Sequence, residues 1–302
     1  MQKTGNELLE LGVIGLANTN KTYPYLWFHG HKGAAVLAAY FMIQEAGLDN
    51  AVNDAVAGFG HKIIAEDSGL FVEDEPDHGT ADPGEIMQAL EASINALSAD
   101  GHDVIFSSLA LKAFQAHPEL ATPSRVAGIT VLIKACQFDN PKRYYGFEDY
   151  RVDSIDYSSV PSFENPKQAA TYTLFEHEIV YPDQAIDGQN HFLAGDKLHD
   201  VTHAHALLEL ENIGYQSVAM QGLEALRKQF YLSDTTHIPE AIQAFETDLL
   251  FDPRTLSFWQ RDIIDAHQVK LAYSVLSLLQ HVDESQHDAI LVDMSKYWAL
   301  LP

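Results

Sequence analysis

Three of the chain's histidines lie within seven residues, in the segment HDVTHAH that begins at His199. On a helix, His199 and His203 are four residues apart and share a face, so they can ligate one metal ion or form an acid–base pair. A third ligand can come from Glu209, further along the same predicted helix, or from another part of the chain. His205 is rotated by roughly 160° from His203 and is predicted to face another layer or solvent.

Four segments across the chain each place one histidine just before or within the first turn of an apolar helix. They read GHKGAAVLAAYFMIQ, GHDVIFSSLALKAF, LHDVTHAHALLELE and AHQVKLAYSVLSLL, and the shared histidines are His31, His102, His199 and His267. Helical hairpins that stack, or that close into a ring, collect equivalent helix ends at one face. We therefore expect these four side chains to converge on one site, with His203 beside them.

The expected chemistry of this group depends on its charge. The positive end of a helix dipole disfavours imidazolium and lowers the pKa of a histidine placed there. Neutral imidazoles can bind a metal ion or accept a hydrogen bond, and a positioned histidine can serve as a general acid or base near neutral pH. The alternative is structural, because a histidine near a helix start also commonly bonds only the backbone or a loop.

Aromatic residues stand immediately upstream of two of these histidines. Trp27 and Phe28 precede His31, Trp259 precedes His267, and Tyr273 follows His267 on the same predicted helix. Aromatic side chains beside imidazoles can line a pocket for a planar apolar ligand, and ordinary core packing accounts for the same pattern. We take Trp27, Phe28, Trp259 and Tyr273 as candidate substrate-binding residues.

The elements that position these residues are predicted to be helices. Apolar residues recur at helical spacing, and strand-like alternation is found only over 171–181. Residues 138–196 are rich in Pro, Gly, Asn and aromatic residues and are predicted to be an irregular insertion or lid. The expected fold is one all-α domain over residues 1–302, a helical-hairpin array curved or closed into a toroid. Helices are predicted over 32–46, 82–98, 104–115, 124–136, 201–212, 216–229, 239–249, 258–280 and 286–300.

Composition excludes several classes of partner. The chain has 18 Lys and Arg against 43 Asp and Glu, a formal charge of −25 that repels nucleic acid and anionic membranes. No signal peptide and no apolar run long enough for a membrane span is found, and Cys136 is the single cysteine, so a reducing, cytoplasmic location is expected. HExxH, GxGxxG, GxxxxGK[ST] and GxSxG motifs are absent, which argues against metalloprotease, dinucleotide-fold, phosphate-loop and α/β-hydrolase chemistry.

The segment LHDVTHAHALLELENIGYQSVAMQGLEAL, from Leu198, resembles the questin oxidase-like family, as do WFHGHKGAAVLAAYFMIQEAGL and DAHQVKLAYSVLSLL. These three segments occur in the family's order and cover about a quarter of the chain. The resemblance implies an oxygenase that inserts oxygen next to a ketone in a polycyclic aromatic substrate, with NADPH as a possible cofactor. It implies roles for His31, His199, His203 and His267 in polarising the carbonyl or handling protons.

Three hypotheses follow. The first is an oxidoreductase resembling questin oxidase, acting on a small aromatic or polyketide-like molecule through pocket histidines. The second is a metal-dependent hydrolase or oxygenase that uses His199, His203 and a distant histidine or Glu209. The third is a non-enzymatic helical-repeat module, which predicts histidines scattered over separate layers without a shared cavity.

Overall fold

The computed structural model describes residues 2–72, 79–151, 154–176, 179–261 and 265–301. These residues confirm the all-α class, with one short antiparallel hairpin of strands β1 (Gln184–Ile186) and β2 (Gln189–His191). Within the described ranges, no helix combines the length and apolar character needed to cross a membrane. The helices are α1 (Gln2–Thr22), α2 (Gly30–Glu45), α3 (Asn50–Glu66), α4 (Gly84–Glu91), α5 (His102–Ala116), α6 (Pro123–Ala135), α7 (Pro166–Thr173), α8 (Leu193–Asn212), α9 (Gln216–Leu232), α10 (Leu256–Trp259), α11 (Ala266–Leu279) and α12 (His287–Leu300).

Two predicted elements are wrong. The helix expected over 239–249 is a turn followed by extended chain, and the Phe245 amide donates to the Val180 carbonyl instead of to a helical partner. The strand expected over 171–181 begins inside α7, whose start is fixed by the Asn165 side chain accepting from the Gln168 amide. Residues 174–176 form a turn, and His177 and Glu178 lie outside the described residues.

The segment 138–196 is less irregular than its composition predicts. It contains α7, the β1–β2 hairpin and a small apolar cluster in which Tyr144 and Tyr150 are fully buried beside Leu97, Ala225 and Leu232. The Tyr150 hydroxyl lies within 3.1 Å of both the Ala99 amide and the Asp139 carboxylate. This segment is therefore part of the packed structure next to residue 99, and its role as a lid stays a prediction.

Helices α1 and α3 were not predicted, because their apolar residues are interrupted by Gly, Asn and Thr. In α1 the small residues serve close packing rather than breaking the helix. A Cβ built on Gly33 of α2 would lie 2.5 Å from the Leu16 amide nitrogen of α1, so only glycine allows this approach. α1 also packs on α6, which covers the outer side of the core.

Four helices enclose the centre of the protein: α2 packs on α5 and α11, and α8 packs on the same two helices. All four run in the same direction, with the recurring histidines toward their N-terminal parts. At the other end each contributes one residue to a polar ring of Glu45, Lys112, Glu209 and Tyr273. The Lys112 ammonium pairs with Glu45 at 2.8 Å and with Glu209, and the Tyr273 hydroxyl lies 3.0 Å from Glu45 and 3.2 Å from Glu209.

The polar ring gives a first prediction about stability. Lys112→Met removes the cation that Glu45 and the mostly buried Glu209 share, so we expect the free energy of unfolding to fall by about 2–4 kcal/mol. Urea titration measures this change. Lys134→Met, which removes an exposed lysine near the end of α6, is the matched control and is expected to change stability by less than about 0.5 kcal/mol. Equal effects of the two substitutions would contradict the proposed role of the ring.

Candidate functional site

The structure brings four recurring histidines together at one point. The centroids of the imidazole rings lie 4.3 Å apart for His31 and His102, 4.4 Å for His102 and His199, 5.2 Å for His199 and His267, and 4.5 Å for His267 and His31. The expected convergence is therefore confirmed for these four residues. The site is built from four different helices, because His31 lies on α2, His102 on α5, His199 on α8 and His267 on α11.

Several ring nitrogens of this histidine cluster are buried without a hydrogen-bond partner among the described residues. They are Nδ1 and Nε2 of His31, Nδ1 and Nε2 of His199, and Nε2 of His102. One ligand atom from each of these three residues can be chosen so that all lie within 4.8 Å of one another. Native proteins usually satisfy buried polar nitrogens, so this group has the donor atoms to hold a metal ion, a ligand or a water.

Two histidines of the cluster have their orientation fixed from behind. The Nδ1 of His102 lies in short contact with the Ala99 carbonyl, and the Nδ1 of His267 lies 2.8 Å from the Asp265 carboxylate. A carbonyl or carboxylate at Nδ1 holds the proton on that nitrogen and leaves the Nε2 lone pair free. This arrangement is typical of metal-binding histidines.

The residues before α5 form an unusual left-handed turn. Ala99, Asp100 and Gly101 have φ values of 46°, 54° and 78°, and this conformation costs of order 1–3 kcal/mol for each non-glycine residue. The turn aims the Ala99 carbonyl at His102 and places the Asp100 carboxylate 3.7 Å from His199 Nδ1. The strained turn thus serves two histidines of the cluster at once.

The structure corrects the prediction for His203. Its Nδ1 lies 2.6 Å from the Gln229 side-chain oxygen, and Gln229 in turn donates to the Asp100 carbonyl at 3.3 Å. A Cβ on Gly101 would lie 2.3 Å from the ring of His203. His203 therefore packs behind the left-handed turn instead of joining the cluster, because α8 directs residues 199 and 203 to neighbouring but different surroundings. Its catalytic role stays a prediction, and its Nε2 is buried without a hydrogen-bond partner among the described residues.

The candidate metal ligands His199, His203 and Glu209 do not come together as one group among the described residues. Glu209 belongs to the polar ring around Lys112, two helical turns and more beyond His199 along α8. Tyr273 belongs to the same ring and does not line the histidine cluster. Trp259 packs on Phe59 and Phe258 and donates to the Pro253 carbonyl, so it is a core residue.

The other two predicted aromatic residues do contact the cluster. The Trp27 ring lies 4.8 Å from that of His102, and the Phe28 ring lies 4.4 Å from that of His31. Trp27 is buried, whereas about half of Phe28 is exposed. Phe28 lines two cavities, of about 240 and 190 Å³, which both reach His267 and Asp265.

The larger cavity is mainly apolar and opens onto His199 and His267. We name it the front cavity, and its volume of about 240 Å³ is slightly below the range usual for small-molecule sites. Charged groups are few in its wall and include Arg143 and Asp183. Its apolar lining residues are Phe28, Phe192, Leu198, Tyr297, Leu300 and Leu301.

A buried charge network lies beside the cluster, and the sequence analysis missed it. The Arg143 guanidinium contacts Asp100 and Asp139 at 2.7 Å and Asp196 at 3.6 Å, and it stacks over Trp27 at 5.4 Å. Burial raises the pKa of Asp100 to about 6, and the Arg143 charge acts against this rise. These residues lie in the segments before and within 138–196 and in α8, and no spacing pattern connects them.

Lys270 is a second missed residue. It lies on α11 one turn after His267 and is 2% exposed, and its ammonium nitrogen has no hydrogen-bond partner among the described residues. Burial lowers the pKa of Lys270 to about 7. A signal was present in the sequence, because one lysine interrupts the otherwise apolar helix AHQVKLAYSVLSLL.

All four histidines of the cluster are held in the neutral form. Burial, with the nearby Lys270 charge as a further cause, lowers the pKa of His31, His102 and His267, and burial with the neighbouring His102 lowers the pKa of His199. The expected direction is thus confirmed, although burial rather than the helix dipole is the main cause. Neutral imidazoles with convergent lone pairs are suited to ligating a metal ion and poorly suited to donating protons at pH 7.

Comparisons of the chain with protein-family models, curated proteins and solved structures found no significant match. The resemblance to the questin oxidase-like family therefore depends on the three quoted segments. Those segments supply His31, His199 and His267, three of the four residues that meet in the histidine cluster.

Gly101 gives a prediction about the turn. Gly101→Ala adds a Cβ both at φ 78° and against His203, so we expect a loss of about 2–4 kcal/mol in the free energy of unfolding. Gly47→Ala is the matched control, since Gly47 has φ 62° and open space around it, and its expected cost is about 1 kcal/mol. Chemical denaturation of both variants measures the difference. Equal losses of stability in Gly101→Ala and Gly47→Ala would show that the His203 ring does not restrict the space beside Gly101.

The buried histidines behind the cluster give a prediction about pH. Burial lowers the pKa of His203 and of His205 to about 4, from 6.5 when exposed. Above pH 6.5 both histidines are neutral in the folded and in the unfolded protein, so they do not reduce the free energy of unfolding. As the pH falls from 6.5 toward 4, these histidines take up protons only in the unfolded protein, and the free energy of unfolding decreases. We expect each histidine to lower the stability by about 2 kcal/mol at pH 5.

Urea unfolding at pH 7.5 and pH 5 checks this expectation. His205→Gln removes one of the two groups, so the loss of stability on acidification becomes smaller than in the unmodified protein. His61→Gln, on the outer helix α3, is expected to leave the loss unchanged. A wild-type pH dependence in His205→Gln would contradict the assignment.

Proposed function

We propose that this protein is a metal-dependent oxygenase that acts on a planar aromatic compound. The proposed ligands of the metal are His31, His102 and His199. His267, the fourth histidine of the cluster, lies next to them. The single observation that carries the proposal is the set of buried ring nitrogens, within 4.8 Å of one another, that have no hydrogen-bond partner among the described residues.

A bound cation would account for the buried ring nitrogens that have no hydrogen-bond partner, which acid–base catalysis does not explain. An unsatisfied buried polar group costs about 1–3 kcal/mol, and several occur here on three neighbouring rings. Coordination to one cation would use these lone pairs together. Imidazole ligands suit iron, copper, nickel and zinc, and the Asp100 and Asp265 carboxylates beside the cluster would offset the added charge.

Ferrous iron is the metal that accounts best for an oxygenase. Redox-active iron, if held by these histidines, would supply the activation of dioxygen without a flavin site. If one oxygen atom enters the substrate and the other leaves as water, two electrons and two protons are required, and NADPH is the reductant that the family resemblance implies. The front cavity would hold the aromatic substrate against His199 and His267, with Phe28 as one wall.

A second candidate function is a zinc-dependent hydrolase. Three histidines, of which His199 reaches the front cavity, are also the ligand set of catalytic zinc sites, where the metal lowers the pKa of its bound water. The apolar lining of the front cavity favours the aromatic substrate of an oxygenase over the polar substrate of most hydrolases. The non-enzymatic alternative predicted histidines scattered over separate layers. The four histidines of the cluster lie together instead, which argues against that alternative.

Metal content tests the proposal. We expect the purified protein to bind one ferrous ion per chain. His31→Phe, His102→Phe and His199→Phe keep ring size but remove the ligand nitrogen, so each is expected to weaken iron binding by more than roughly 100-fold. His205→Gln, in a deeper layer, is expected to retain the iron.

Oxygen uptake then separates the two candidates. With hydroxynaphthoquinones and hydroxyanthraquinones as probes, the proposed oxygenase consumes dioxygen in a manner that depends on both iron and added NADPH. Tight binding of zinc together with no oxygen uptake would favour the hydrolase. Retention of iron by all three phenylalanine variants would contradict the proposed ligand set.

A further inference from the structure

A second polar group lies inside the four-helix centre, between the histidine cluster and the polar ring of Glu45, Lys112, Glu209 and Tyr273. His205 lies at the middle of this group. Its Nδ1 is 3.1 Å from the Ser274 hydroxyl, and its Nε2 is 3.9 Å from a Glu209 carboxylate oxygen. The imidazole thus stands between a carboxylate that reaches the polar ring and a hydroxyl that points deeper into the protein.

A small void extends from the polar ring past His205 to Lys270. It measures about 20 Å³, and its wall includes Lys112, Glu209 and Tyr273 of the ring as well as His205, Ser274, Lys270 and the hydroxyl-bearing Ser108 and Thr202. A void needs about 10–15 Å³ and two to four polar partners to hold one water molecule. Two buried atoms of its wall residues, Lys270 Nζ and His205 Nε2, have no hydrogen-bond partner among the described residues.

We propose that this void holds one buried water, and that Glu209, His205, Ser274 and this water form a relay that carries protons from the polar ring to Lys270 and the histidine cluster. The relay enters where Glu45 is partly exposed and Lys112 contacts Glu209. It reaches the cluster from the side opposite the front cavity. Protons and the aromatic substrate would therefore arrive by separate routes.

The chemistry of each step is balanced. The 3.9 Å between Glu209 and His205 Nε2 must shorten to hydrogen-bond distance for a proton to pass; that proton is matched by one that leaves His205 Nδ1 toward Ser274, so the imidazole gains no net charge. The Ser274 hydroxyl likewise accepts one proton and passes one to the water. Glu209 rests as the carboxylate paired with Lys112, so it takes up a proton from solvent through the polar ring before it passes one to His205. The proposal depends on the proposed oxygenase only for the reaction that consumes the protons.

A crystal structure of the unmodified protein tests the water directly and needs no bound metal. We expect an ordered water in the void, about 3 Å from Lys270 Nζ and from the Ser274 hydroxyl. An empty void, or a Lys270 ammonium bonded to another side chain, would overturn the proposal.

The relay itself is tested by oxidation of the iron-loaded protein. Complete reduction of one dioxygen takes four electrons from four ferrous ions and four protons, and gives two waters. In stopped-flow measurements Ser274→Ala is expected to slow ferrous oxidation roughly 10-fold or more, with a larger ratio of rates in H₂O and D₂O. Ser277→Ala, one turn further along α11, is the matched control and should keep the wild-type rate.

Glu209→Gln and Glu211→Gln form a second matched pair, since both lie near the end of α8 and only Glu209 faces His205. Wild-type rates in both Ser274→Ala and Glu209→Gln would overturn the relay. If the protein takes up no iron, the proposed function fails, and the presence or absence of the buried water alone decides this inference.

Discussion

The structure depends on the burial of four imidazole rings at one point inside a helical protein. Burial holds the rings neutral, and it leaves ring nitrogens of His31, His102 and His199 without partners among the described residues. Such an arrangement is costly unless something binds there, so the surrounding elements must hold it together. The left-handed turn at 99–101 adds a backbone cost to this desolvation cost. Ala99 and Asp100 keep unfavourable positive φ values, and in this conformation they face His102 and His199.

The interior is arranged in layers along four helices that run in the same direction. The histidine cluster occupies one layer, Lys270 the next, His205 and Ser274 another, and the polar ring around Lys112 closes the far end; the small void reaches from Lys270 to this ring. The cluster and the ring each draw on all four helices, and His205 and Ser274 lie on two of them, so packing of the helices positions these polar groups. Polar residues deep in α5, α8 and α11 explain why these helices, although buried, are not uniformly apolar.

The sequence predicted the all-α class and the convergence of His31, His102, His199 and His267. Both predictions were possible because the repeat, a histidine followed by an apolar helix, can be recognised from the order of residues along the chain. The prediction failed for His203, since sharing a helical face with His199 does not fix which neighbour each ring meets. Arg143 and its partner Asp100 escaped notice because long-range packing joins them beside the cluster. Lys270 was missed although it interrupts an otherwise apolar helix one turn after His267. The helix expected over 239–249 failed because the Phe245 amide bonds Val180, a tertiary contact that no local pattern encodes.

The most direct measurement of the central claim is the X-ray absorption spectrum of the iron-loaded protein. The account predicts a scattering shell of at least three imidazole nitrogens near 2.1 Å, with the outer-shell features of histidine rings. A spectrum dominated by oxygen ligands from surface carboxylates, with no imidazole contribution, would contradict it.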